Sequence, residues 1–124
     1  MKKLFLLSLF ITFSFCKSQE TKVNTVLDVP AFKTEVIGKN VQLVDVRTPD
    51  EYSEGHIENA LNIDFFDEAN FSEKFNKLDK NKPVYIYCRS GARSHKSAMK
   101  LEKMGFNKIY DLQGGYMAWK KSGN

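Results

Sequence analysis

Apolar residues along this chain occur in two patterns, short unbroken runs and runs with helical spacing. Short, mostly apolar runs are typical of strands in a buried parallel sheet. Four of them are VQLVDV (41–46), ALNI (60–63), VYIYC (84–88) and KIYDL (108–112). Each is separated from the next by a stretch that predicts a helix, so the sequence predicts alternating strands and helices.

The first helix is predicted just before the first of these strands. Asp28 followed by Pro30 is typical of a helix N-cap and first turn. Phe32 and Val36 fall on one face of that helix, and Gly38 is suited to end it.

Four further helices follow the strands. The first begins near Thr48, and Phe71, Phe75 and Leu78 mark one face of the second. The third begins at Ala92 and ends at Gly105, and the last covers GGYMAWKK (114–121). Alternating strands and helices favour right-handed crossovers. We therefore predict an α/β fold with a mostly parallel central sheet of four to five strands and helices on both faces.

The N-terminal segment is predicted to be a targeting signal. Lys2 and Lys3 precede an apolar run, Leu4–Phe15, which is too short to span a membrane as a helix. We predict a signal peptide at 1–18, a tether at 19–25 and one domain at 26–121. Two endings remain open, ordinary cleavage after Ser18 or lipidation at Cys16, although lipidation sites usually have a small residue where Phe15 stands. Either ending places the protein in the periplasm, anchored to the membrane if Cys16 carries lipid.

Removal of this segment changes the charge balance. The whole chain carries 19 basic and 15 acidic residues, a formal net charge of +4. Three lysines and no acids leave with residues 1–18, so the mature chain is close to neutral. The basicity of the whole chain therefore gives no support to nucleic-acid binding. We also predict that the protein is a monomer without a membrane span.

The segment YCRSGARS (87–94) joins a predicted strand to a predicted helix and contains two of the three arginines. Ligands of parallel α/β sheets gather at the carboxyl ends of strands, where Cys88 lies. Gly91 suits a curled loop whose backbone N–H groups point inward, and cations or a helix N-terminus favour a thiolate. Arg89 and Arg93 offer donors for an anionic substrate. The alternative interpretation is that Cys88 is a buried, inert cysteine. The arginines and the glycine of the loop make that interpretation less favoured.

Three segments carry a resemblance to a known family. LVDVRTPDEYSEGHIENALNI (43–63), YCRSGARS (87–94) and LQGGYMAW (112–119) resemble, in order and spacing, the signatures of the single-domain rhodaneses, the thiosulfate sulfurtransferases. The resemblance extends over about 26–121 and implies a rhodanese-like fold in an exported member of that family.

The resemblance also implies a reaction and its site. Cys88 would be the catalytic nucleophile that takes a sulfur atom from thiosulfate as a persulfide and passes it to cyanide or a thiol. The loop that follows Cys88 would bind the substrate through Arg89, Ser90, Gly91, Ala92, Arg93 and Ser94. No cofactor and no metal is implied.

Other signature residues are expected to be structural. Asp45, Arg47 and Glu51 are predicted to form an ion-pair and hydrogen-bond set that fixes the neighbouring loop. His56 is predicted to be a hydrogen-bonded structural histidine. His95 is predicted to lie on the surface, and Tyr116 and Trp119 to close the core.

Three rival functions are weighed against this one. Phosphatases and arsenate reductases place one more residue between cysteine and arginine than the four that separate Cys88 from Arg93. A non-catalytic rhodanese-like binding module is disfavoured because the loop keeps its cysteine. A persulfide carrier stays open, and after cleavage at Ser18 the acceptor thiol must come from outside the chain.

Overall fold

The computed structural model describes residues 22–124, and it confirms the predicted α/β class. The elements are β1 (Asn24–Leu27), α1 (Val29–Val36), β2 (Gln42–Asp45), α2 (Pro49–Glu54), β3 (Leu61–Asn62), α3 (Glu68–Phe75), β4 (Val84–Tyr87), α4 (Ala92–Lys103), β5 (Ile109–Leu112) and α5 (Gly115–Lys121). The predicted signal peptide (1–18) and the alternatives at Ser18 and Cys16 lie outside the described residues and stay predictions.

The five strands form one parallel sheet in the order β1-β5-β4-β2-β3. Because every strand runs the same way, the carboxyl ends of β2, β4 and β5 meet at one edge of the sheet. Cys88 follows β4, the central strand of the five, so the nucleophile predicted from the sequence lies at the middle of that edge.

Strand β1 was not predicted from the sequence. It begins in the segment assigned as a tether (19–25), continues into the predicted domain, and pairs with β5 from Asn24 opposite Ile109 to Leu27 opposite Leu112. Its sequence, NTVL, is neither an apolar run nor a clear alternation. An edge strand of this kind is held mainly by backbone hydrogen bonds to its neighbour, which leave little trace in the sequence.

The core is divided between the two faces of the sheet. On the α4 side, Phe71 and Phe75 of α3 and Leu101 of α4 pack with Ile86 and Ile109 of the sheet. On the α5 side, a second cluster joins α1 and α5 to the opposite sheet face; it contains Phe32, Tyr85, Tyr87, Leu112 and Trp119. Helices therefore cover both faces, as predicted.

The helix ends follow their local sequence. The Asp28 side chain accepts a hydrogen bond from Ala31 N–H at 3.0 Å and caps α1. Thr48 and Glu51 form a reciprocal capping box at the start of α2. At the end of α4, Gly105 takes φ +96° and Phe106 N–H bonds to the Leu101 carbonyl at 3.1 Å. Within 22–124, the helices are all too short or too polar to cross a bilayer.

Candidate active site

Cys88 is buried at the carboxyl end of β4. Its side chain is 1% exposed, and its sulfur is a free thiol. The preceding residues of β4 are all buried, so the strand that presents the sulfur is fixed from both faces of the sheet. The sulfur therefore lies in a preorganised position rather than on a mobile surface loop.

The loop after Cys88 curls back over the sulfur. Gly91 N–H donates a hydrogen bond to Cys88 Sγ at 3.0 Å. This curl needs φ +115° at Gly91, a conformation that a residue with a Cβ seldom adopts. Helix α4, 12 residues long, begins at Ala92, so the positive end of its dipole also faces this loop. Both features stabilise negative charge on the sulfur.

Ser94 lies beneath the loop, fully buried. Its Oγ is 3.4 Å from Cys88 Sγ and 3.2 Å from the Gly91 carbonyl oxygen, to which it donates. A hydroxyl can donate or accept, so Ser94 serves either a thiol or a thiolate.

Helix α5 closes the other side of the loop. Tyr116 N–H donates to the Cys88 carbonyl at 2.8 Å, and Met117 N–H donates to the Arg89 carbonyl at 3.0 Å. These bonds need a glycine at position 115, since a methyl group there would lie 2.6 Å from the Cys88 carbonyl oxygen. Sequence reasoning missed this role of Gly115, although the paired glycines of LQGGYMAW were the available signal.

Arg93 forms a two-pronged ion pair with Glu51. The guanidinium nitrogens donate to the two carboxylate oxygens at 2.7 and 2.9 Å. The hydrogen bond from Arg93 lowers the pKa of Glu51 to about 2, against a smaller opposing effect of burial. The predicted grouping of Glu51 with Asp45 and Arg47 is therefore wrong. The Glu51 carboxylate, at the start of α2, pairs instead with the Arg93 guanidinium of α4.

Asp45 and Arg47 form the predicted strand-end ion pair. Arg47 Nη2 lies 2.6 Å from Asp45 Oδ2, and the two side chains are 5% and 0% exposed. The same nitrogen donates to the Gly55 carbonyl at 2.7 Å, and the guanidinium carbon lies 4.3 Å from the Tyr116 ring centre. Burial works against the charge of Arg47, yet the hydrogen bond and charge of Asp45 together raise its pKa.

The remaining loop residues face outward. Arg89, Ser90 and Ala92 are exposed. Arg89 lines a cleft of about 410 Å³ together with Arg47, Glu51, Glu54, Gly55, Tyr116, Met117 and Lys120. The cleft adjoins the Cys88–Arg89 segment, so it is the open side from which a substrate can approach the loop.

The two histidines lie away from the sulfur chemistry. His56 Nδ1 is 2.8 Å from the Tyr52 carbonyl oxygen, and its ring stacks on the Tyr52 ring at 3.7 Å. The predicted hydrogen-bonded role of His56 is confirmed, and His95 is exposed as predicted. In residues 22–124 no group of three or more His, Cys, Asp or Glu side chains could hold a metal ion.

Two residues near the loop were not predicted. Phe66 is 63% exposed and lies under the Arg93 guanidinium, 5.4 Å from ring centre to carbon. Asp111 is a buried carboxyl on β5 that faces α4. In the sequence, Asp111 stands within the apolar run KIYDL, and an acid in such a run is the signal that could have identified it.

Comparisons with known proteins agree with this geometry. The model of the "Rhodanese-like domain" family matches residues 28–122. A thiosulfate sulfurtransferase, GlpE of Coxiella burnetii, is 40% identical over 82 residues, covering 66% of this chain and 74% of that protein. A tRNA uridine(34) hydroxylase of Pelagibacter ubique is 32% identical over 105 residues, covering 85% of this chain and 35% of that protein.

A solved structure agrees as well. The crystal structure of a rhodanese-like domain protein from Staphylococcus aureus superposes with a TM-score of 0.67 at 33% identity, covering 77% of this chain and 90% of that one. The chain spans less than two thirds of the length of two of the curated relatives that it matches. The fold, the loop around Cys88 and the family match together show that the chain belongs to the rhodanese-like domain family.

Proposed function

We propose that this protein is a sulfurtransferase that moves sulfane sulfur from thiosulfate, through a persulfide on Cys88, to cyanide or a thiol acceptor. The observation that carries the proposal is the contact between Gly91 N–H and Cys88 Sγ at 3.0 Å, in a loop at the N-terminus of α4. Such a contact stabilises an anionic sulfur, which is the reactive form of cysteine.

The donor step forms one sulfur–sulfur bond and breaks another. The Cys88 thiolate attacks the outer sulfur of thiosulfate, the sulfur–sulfur bond of thiosulfate breaks, and sulfite leaves with the bonding electrons. Cys88 then carries the extra sulfur as a persulfide. The Gly91 N–H and the α4 dipole can stabilise the sulfur before and after this step, because one anionic sulfur replaces another.

The acceptor step returns Cys88 to its starting state. A cyanide ion or acceptor thiolate attacks the outer sulfur of the persulfide, and Cys88 leaves as a thiolate. Among residues 22–124 Cys88 is the sole cysteine, so the described domain offers no second thiol to collect the sulfur. We propose that the acceptor is a separate molecule, which approaches the loop through the cleft lined by Arg89 and Lys120.

Arg93 and Arg89 are proposed to hold the oxygens of the donor. Arg89 is exposed at the cleft, whereas Arg93 is paired with Glu51. A charge on Cys88 contributes to the raised pKa of Arg93, after the hydrogen bond to Glu51, the opposing effect of burial and the charge of Glu51. Arg93 is therefore close enough to Cys88 to interact with its charge. We propose that Arg93 can exchange the Glu51 carboxylate for the anionic sulfur donor.

The relationship to a tRNA uridine(34) hydroxylase does not favour that reaction here. The chain covers 35% of that protein. The chemistry supported by the residues of this chain is sulfur transfer at a single thiol.

Intact mass spectrometry after thiosulfate treatment tests the proposal. Wild-type protein is expected to gain the mass of one sulfur atom and then to lose it to cyanide as thiocyanate. Cys88→Ser is expected to abolish both, while Cys16→Ser, the matched change at the other cysteine, retains both. Sulfur uptake by Cys88→Ser at the wild-type level would show that another group is the nucleophile.

A further inference from the structure

The cleft beside the active-site loop contains charges that no ion pair neutralises. Its charged lining residues are Arg47, Glu51, Glu54, Arg89 and Lys120. The buried pair at the end of β2 and the pair that joins α2 to α4 neutralise two of these charges. Among the described residues, Arg89, Lys120 and Glu54 make no ion pair. The unpaired charges of the cleft are therefore two positive and one negative.

The two unpaired cations lie on adjoining segments. Met117 N–H donates to the Arg89 carbonyl oxygen at 3.0 Å, which joins the first turn of α5 to the loop. Lys120 follows Met117 by three positions in α5, so their side chains lie on the same face of the helix. The Met117 side chain is 51% exposed. An apolar, adaptable side chain therefore lies beside both cations, where it can contact the carbon chain of a ligand.

The acceptor step brings two negatively charged sulfur atoms together. The acceptor thiol first loses its proton to solvent, and its thiolate attacks the outer sulfur of the Cys88 persulfide. A sulfur–sulfur bond forms to the acceptor, and the bond to Cys88 breaks with its electron pair left on Cys88. The persulfide and the thiolate are both anions, so they repel each other as they approach. Cations at the entrance to the loop reduce this repulsion.

We propose that Lys120 is a specificity-determining residue that, together with Arg89, selects acceptor thiols carrying a carboxylate. This inference rests on the proposed function, because it names the class of acceptor. The carboxylate pairs with the Lys120 ammonium, the carbon chain lies on Met117, and the thiolate points to the loop. Arg89 is free for this role once sulfite has left. The cleft volume of about 410 Å³ suits a small molecule.

The unpaired acid of the cleft acts in the opposite direction. Glu54 is exposed at the end of α2. Its carboxylate repels the carboxylate of an acceptor and attracts an ammonium group. Removing Lys120 and removing Glu54 are therefore expected to shift the preference among acceptors in opposite directions.

Thiols that differ only in their terminal group test this charge preference. β-Mercaptopropionate ends in a carboxylate, β-mercaptoethanol in a hydroxyl and cysteamine in an ammonium group. Each protein is loaded with sulfur from thiosulfate, excess donor is removed, and loss of the sulfur to each thiol is followed by intact mass spectrometry at low salt. This measures the acceptor step alone. Dividing each rate by the wild-type rate with the same thiol removes differences in the intrinsic reactivity of the thiols.

Lys120→Gln is expected to lower this rate ratio for β-mercaptopropionate about two- to five-fold relative to cysteamine, with β-mercaptoethanol between them. Salt screens exposed charges, so the difference is expected to shrink at high ionic strength. Glu54→Gln is expected to raise the ratio for β-mercaptopropionate relative to cysteamine. The matched control is Lys121→Gln, which removes the same charge from an exposed neighbour outside the cleft lining and is expected to treat the thiols alike.

Equal rate ratios for all the thiols in Lys120→Gln, or an equal effect in Lys121→Gln, would overturn the role of Lys120. A shift in the same direction in Glu54→Gln would overturn the electrostatic basis of the preference. If the wild type took up no sulfur from thiosulfate, the proposed function would fail before any acceptor was added. Uptake followed by equal ratios removes the acceptor preference alone, so the two failures are distinguishable.

Discussion

Two arginine–carboxylate pairs flank the active-site loop, and they differ in burial. The pair Asp45–Arg47 lies at the end of β2 with side chains 0% and 5% exposed. The pair Glu51–Arg93 joins α2 to α4 with side chains 26% and 18% exposed. Both are short and hydrogen-bonded, so ion-pair distance alone does not distinguish them.

The contacts around each pair explain what the difference means. Arg47 also donates to the Gly55 carbonyl and lies over the Tyr116 ring, so its positive charge is already satisfied on several sides. Arg93 has Glu51 as its carboxylate partner and the exposed Phe66 ring beneath it. A buried charge with many partners holds the scaffold, whereas a partly exposed charge with one exchangeable partner is free to bind a substrate anion.

The largest effect is expected from breaking the buried pair. Arg47→Met leaves the Asp45 carboxylate buried without its partner, and loss of one member of a buried pair costs about 3–5 kcal/mol. We expect the free energy of unfolding, measured by urea denaturation, to fall by that amount. The matched control is Arg93→Met, the same chemical change in the partly exposed pair, with an expected loss of about 1 kcal/mol or less. Equal losses would show that burial does not separate the two pairs.

The second effect falls on substrate binding rather than on stability. Arg93→Ala removes a charged donor for the thiosulfate oxygens, and hydrogen bonds to charged groups contribute about 1.5–3 kcal/mol, so KM for thiosulfate is expected to rise roughly 10- to 100-fold. The rate at which cyanide removes sulfur from a preformed Cys88 persulfide is expected to change little. Arg93→Lys keeps the charge but loses the planar fork, and an intermediate KM is expected.

Steady-state and single-turnover rates separate the two half-reactions. If Arg93→Ala slowed both half-reactions equally, Arg93 would be shaping the loop around Cys88 and the donor would be held elsewhere.

Much of this arrangement follows from the sequence, and the exceptions share a cause. Strands β2, β4 and β5 and the position of Cys88 after β4 were predicted, because apolar runs and turn residues report local structure. The partner of Glu51 was predicted wrongly, since Arg93 lies 42 positions away along the chain and only the packing of α4 near α2 brings the two together. Asp111 and Gly115 were missed although the sequence carried a signal for each, because an acid in an apolar run or a pair of glycines does not show what the fold places against it.

The smallest effect is expected at Glu51, where the capping role and the ion pair can be separated. Glu51→Gln retains an oxygen that can accept from Thr48 N–H in the capping box but loses the charge that pairs with Arg93. With Arg93 no longer neutralised, KM for thiosulfate is expected to fall about two- to three-fold, and the free energy of unfolding at neutral pH to fall by about 0.5 kcal/mol. Asp50→Gln, an exposed neighbour in the same helix turn, is the control for a change of net charge.

The stability difference between wild type and Glu51→Gln is also expected to depend on pH in one direction. The pKa of Glu51 is lowered to about 2 in the folded protein from an ordinary value of 4.5. The ion pair therefore contributes its full stability above about pH 4.5, and this contribution declines as the pH falls toward 2. Urea denaturation of both proteins across this range measures the decline. A difference that stayed constant down to pH 2 would show that the charge of Glu51, and therefore its pair with Arg93, does not contribute to the stability of the fold.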